Sequence, residues 1–144
     1  MKRFQFNLER VRQYRKLQME AEQVKLEHAQ ARLLSLDHME AELLRQKNEA
    51  GETIPVGSSF QTGEQLERLD GFRRYLVRMA HLLEIRRAEA IAVLVAQQTV
   101  LLEARRNYEL LNRLKDRSRG QWQASFNREQ EQVTAELYLA RWKR

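Results

Sequence analysis

The chain has 144 residues, 42% of them hydrophobic and 32% charged, with one proline, five glycines and no cysteine. That length suits one domain, and an average one would carry roughly seven prolines and ten glycines, so the scarcity of breakers excludes a β-sandwich, a doubly wound sheet or a Gly-rich phosphate loop. The missing cysteines exclude a disulfide scaffold and any thiolate metal site, while a net charge of +6 admits nucleic acid, an acidic protein or an anionic membrane surface as partner.

The opening MKRFQFNLERVRQ has basic residues but no apolar run behind them, so it does not read as a signal peptide. A first helix is expected over about 7–50. Asn7 is the expected N-cap, Glu9 sits where the helix dipole favours an acid, and Phe6 and Val11 are spaced as a hydrophobic staple. A seam follows through Leu8, Val11, Arg15, Met19, Glu22, Leu26, Ala29, Leu33, Leu36, Glu40 and Leu43. Its steps alternate 3 and 4, except for a stutter between Arg15 and Met19.

The breakers gather in GETIPVGSSFQTG, residues 51–63, which is expected to be a loop. Gly51 is placed to end the first helix in the left-handed conformation. Thr62 and Gln65 fit a capping box opening the next helix. A second helix is expected over about 64–141. Its heptad positions are Leu69, Arg73, Leu76, Ala80, Leu83, Arg87, Ala90, Leu94, Gln97, Leu101, Ala104, Tyr108 and Leu111. Ten of these thirteen are apolar, at an unbroken period of 3.5. Arg73, Arg87 and Gln97 read as register-setting or snorkelling residues.

The fold class is therefore all-α: one long antiparallel two-helix coiled-coil hairpin, a single coiled-coil domain over 1–144, with an overhanging C-terminal helix end. Centring the turn on the loop places residue i opposite about residue 114 − i, so Val24 would lie near Ala90 and Ala21 near Leu94. Everything after about 108 would then overhang, leaving Trp122, Phe126 and Trp142 with no facing helix. Gly120 is expected to bend or fray the overhang, because glycine costs a helix about 1 kcal/mol relative to alanine. Residues 1–16 and 104–144 each carry a net +5, and the hairpin would bring these basic segments to one end.

No catalytic, cofactor or metal constellation is legible. His28, His38 and His81 lack metal-site spacing, and the carboxylates scatter among lysines and arginines as on a solvated face. The longest uncharged stretch, 90–102, is 13 residues, short of the roughly 18 that span a membrane. The chain therefore reads as soluble and intracellular. Phe72, Tyr75, Met79, Leu82 and Ile85 fall outside the seam, which suggests either a third packing element or a ridge for a partner.

The opening F-x-F-x-L-x-x-V-x-x-Y-R, here Phe4, Phe6, Leu8, Val11, Tyr14 and Arg15, resembles the flagellar FliJ family. So do Glu20, Ala21, Glu22, Leu26, Ala29 and Leu33, the position of the loop, and Leu69-x-x-Phe72-x-x-x-Leu76. The resemblance covers most of the chain to about residue 115. It implies a non-enzymatic, stalk-like component of the flagellar type III export apparatus. Its expected partners are the hexameric export ATPase, the cytoplasmic region of the export gate and the export chaperones. It would be cytoplasmic and peripherally associated with the inner face of the membrane through the export complex. The resemblance places a gate-contacting patch at Phe72 and Leu76, with Met79 and Leu83 on the same path; the expected gate patch is Phe72, Tyr75, Leu76 and Met79. At the basic end, Arg12, Arg15, Arg105, Arg106 and Arg113 are the expected contacts to the ATPase. No nucleic acid is expected on that reading; a nucleic-acid-binding coiled coil or another coiled-coil scaffold is the alternative.

Overall fold

The structure, a computed structural model, describes residues 3–52 and 62–142. It is an all-α helical hairpin of two helices, α1 (Glu9–Glu52) and α2 (Gly63–Trp142). Contacts divide the chain into two compact units. One is Met1–Glu22 with Leu101–Arg144, and the other is Gln23–Val100.

Both helix starts follow from local hydrogen bonding. At α1, the Phe6 carbonyl accepts from the Glu9 N–H and the Leu8 carbonyl from the Arg12 N–H, which makes Leu8 the cap, one residue later than expected for Asn7. That shift takes Val11 out of the staple position, and it is exposed. At α2 half of the capping box forms: the Gln65 side chain accepts from the Thr62 N–H at 3.3 Å, while the Gln65 N–H donates to the Thr62 backbone carbonyl, not its hydroxyl, at 2.9 Å. Of the expected loop, 53–61 lies outside the described residues. Gly51 is still helical and its φ is not positive, so it does not end α1 as a left-handed cap. Gly120 likewise lies inside an uninterrupted α2, with no frayed turn. One glycine's propensity cost is small beside that of breaking a helix and re-nucleating it.

In the unit 23–100 the core is apolar. Leu36, Leu83 and Ala90 form a buried cluster, with Leu33 and Leu43 packed against it. Leucines of α1 thus meet Ala90 of α2 but also the large Leu83, and Ala90 sits about ten residues away from its expected partner Val24. Arg87 Nε donates to Asp37 Oδ1 at 2.7 Å, and Arg73 Nη2 donates to the Ala50 carbonyl at 3.3 Å. Residue i of α1 therefore faces about residue 124 − i, not 114 − i. The cause is that the first turns of α2, 62–68, are exposed and face no described residue of α1. Pairing starts only near Ala50, where Arg73 covers a C-terminal carbonyl of α1. Arg73 and Arg87 are thus cross-helix tethers.

In the unit formed by 1–22 and 101–144 the same antiparallel direction holds, but the contacts made by the first turn of α1 are polar. Lys115 Nζ donates to Glu9 Oε2 at 2.9 Å, and Arg12 Nη1 donates to Asn112 Oδ1 at 3.2 Å. Glu9 and Arg12 are half-buried while Leu8 and Val11 are exposed. The stutter near Arg15 has this effect: the first turn of α1 is rotated by one residue, so its charged side chains face α2 instead of its apolar ones.

Candidate functional site

No described helix is long and apolar enough to cross a membrane. Among the described residues there is no group of three or more His, Cys, Asp or Glu that could hold a metal. The described depressions are open and shallow, such as that lined by Arg3, Phe4, Gln5, Ser118 and Trp122. Each unit carries an exposed surface of its own.

On α2 in the unit 23–100, the expected patch separates into two kinds of residue. Leu76 is only 2% exposed, the most buried residue of the core, and Met79 is half-buried. Phe72 and Tyr75 are 42% and 47% exposed, and their rings stack at a centroid distance of 6.3 Å and 23° between planes. Leu82 and Ile85 are exposed near them. Steps of 3, 4 and 3 put Phe72, Tyr75, Met79 and Leu82 on one helical stripe beside the seam. Nothing among the described residues covers its exposed members, so the third packing element is not found there. Leu76 anchors the stripe from beneath and offers no surface of its own.

The basic groups of the other unit also separate. Arg12 is turned inward. Its guanidinium meets Glu9 at 2.6 Å, donates to the Tyr108 hydroxyl and to Asn112 at 3.2 Å each, and lies 5.9 Å from the Tyr108 ring centroid. The adjacent Arg12 guanidinium, and then the Lys115 ammonium, hold the Glu9 carboxyl down at about 2; Arg12 in turn is raised by its bond to Glu9. Arg15 is half-buried and donates to Gln18 at 2.9 Å. Arg105, Arg106 and Arg113 are exposed, with Glu109 4.0 Å from Arg113. Of the five arginines named from the sequence, three point outward, and Arg12 is bound within the molecule.

The aromatics of this unit were misplaced by the expected register. Phe4 lies 6.0 Å from Trp122 by ring centroids, and Trp122 stacks on Phe126 at 5.4 Å. The extended segment before α1 therefore covers α2 as far as Trp122, and the side chains exposed throughout begin at 127. Trp142, 80% exposed, lies in that stretch as expected. The signal was present in the sequence: the seam continues from Leu111 through Lys115, Ser118, Trp122 and Phe126 at steps of 4, 3, 4 and 4, and Phe4 precedes α1. Compared with family models, curated proteins and solved structures, the chain finds no match.

Proposed function

We propose that the chain is a non-enzymatic coiled-coil adaptor of a flagellar type III export apparatus, binding the hexameric export ATPase through its basic unit and the export gate through the Phe72–Tyr75 stripe. Export chaperones are further partners on this reading. The protein works in the cytoplasm, held at the inner face of the membrane by the export complex. The observation that supports it best is that one unit bears an exposed, stacked aromatic pair beside its seam while the other gathers the charge. Residues 1–22 and 101–144 hold sixteen basic and nine acidic groups, a net of +7, against ten and eleven over 23–100. The resemblance of the opening motif supplies the biological setting. With Arg12 engaged internally, the ATPase-facing set becomes Arg15, Arg105, Arg106 and Arg113. Such charges steer association and weaken with salt.

The test is a pull-down with purified export ATPase, scored by its ATPase rate. Reversing Arg15, Arg106 and Arg113 to glutamate abolishes stimulation while helicity is kept, and Phe72→Ala leaves stimulation intact but removes gate binding. If the reversals leave stimulation unchanged, the assignment fails. The +7 unit also favours a second reading, nucleic-acid binding, which a gel shift with a salt titration detects as a steep slope.

A further inference from the structure

Within the basic unit, α2 presents a face that the adaptor reading does not use as a whole. With Tyr108 and Leu111 on the seam, Arg106 and Arg113 occupy f positions, Leu110 and Arg117 c positions and Leu114 a g position, and with Phe126 on the seam Arg128 falls at f. All six are exposed, Leu110 at 57% and Leu114 at 48%. No carboxylate stands at any c, f or g position from 106 to 128. The nearest acid known to meet the stripe is Glu109, 4.0 Å from Arg113. At 1.5 Å per residue this acid-free stripe is about 33 Å long. Further along the same helix stands Trp142.

We infer that this face lies on an anionic lipid surface. Charge complementarity selects an anionic occupant, because four arginines share one side of a helix without a carboxylate among them. The leucines choose between anionic occupants. A phosphate backbone offers nothing to Leu110 and Leu114, whereas a bilayer accepts aliphatic side chains at the headgroup boundary with arginines reaching out to the phosphates on either side. Trp142 is of the residue type that settles at that depth. The seam faces away from the stripe, so docking leaves the contacts to Glu9 and Arg12 undisturbed. This association needs no other protein, and so goes beyond attachment through an export complex.

The experiment is co-sedimentation of the full chain with vesicles of phosphatidylcholine alone, or with one third phosphatidylglycerol. Binding is expected only to the anionic vesicles and is lost at high salt. Each arginine near such a surface contributes about fivefold in affinity, so Arg106→Glu, Arg113→Glu and Arg117→Glu together weaken binding by at least roughly 100-fold. Leu110→Ser with Leu114→Ser weakens it severalfold at unchanged charge. In a Trp122→Phe background, Trp142 emission shifts to the blue on binding. Circular dichroism confirms that each variant stays helical, and Arg→Lys replacements keep the binding. Failure to bind anionic vesicles, equal binding to neutral ones, or wild-type binding by the triple variant overturns the inference. So does a short DNA duplex that binds as tightly and is indifferent to the leucine substitutions, an outcome that assigns the face to nucleic acid.

Discussion

Leu76 and Phe72 stand one turn apart on α2 and are expected to respond to truncation in opposite ways. Leu76 is 2% exposed, so Leu76→Ala removes buried methyl groups and leaves a cavity. Such changes cost 2–5 kcal/mol where the surroundings are rigid; between two helices that can close on the gap, about 2–3 kcal/mol is expected. For a chain of this length that lowers the melting midpoint by about 6–12 °C. Phe72 keeps 42% of its surface in solvent. Its truncation forfeits contact with Tyr75 and part of its burial, but alanine is the better helix former by about half a kcal/mol, so the net cost is about 1 kcal/mol or less. Thermal and urea melts followed by circular dichroism at 222 nm measure both. The reasoning fails if Phe72→Ala is as destabilising as Leu76→Ala, or if Leu76→Ala costs under 1 kcal/mol. The pair also calibrates the binding experiments: loss of gate binding in Phe72→Ala at preserved stability reports a surface, whereas the same loss in Leu76→Ala reports only a damaged core.

Three further outcomes are expected. Because Arg12 and Lys115 hold Glu9 at about 2, below its ordinary 4.5, the stabilisation from its charge is complete above about pH 4.5 and is lost as pH falls towards 2; the melting difference between wild type and Glu9→Gln should shrink over that window, and a difference undiminished at pH 2 would refute the network. Gly120 is helical with open space around its absent Cβ, so Gly120→Ala should stabilise by about 0.5–1 kcal/mol in urea melts, and a loss of stability would show that the helix needs a glycine there. Spin labels at 34 and 90 should lie close across the helices and closer than labels at 24 and 90; the reverse order would restore the 114 − i register.

Most of the α2 seam was legible because heptad spacing is a local property: Leu76, Leu83, Ala90 and Leu101 are buried, although Ala80, at a seam position, is exposed. The half of the capping box in which Gln65 reaches back to the Thr62 N–H was legible for the same reason. What the sequence did not reveal is how far one helix slides along the other. Apolar layers recur every seven residues, and loop length alone does not say where pairing begins; only charge partners such as Asp37 and Arg87 select among the choices. That error moved Trp122 from a covered position to an imagined overhang and made Arg12 look available to a partner. Leu76 and Phe72 were joined in one patch because a motif records spacing, while burial depends on which side of the helix meets α1.

A zipper of repeating leucines can slip by one heptad with little penalty to its apolar layers. The polar contacts near the start of α1 remove that freedom. Moved one heptad either way, Arg12 would leave Tyr108 and Asn112 and come level with Arg105 or Arg119, trading acceptors for a like charge. Glu9 would lose Lys115 in the same step. The few polar pairs thus act as an index mark against sliding along the α2 axis, fixing which stretch of α2 each turn of α1 covers.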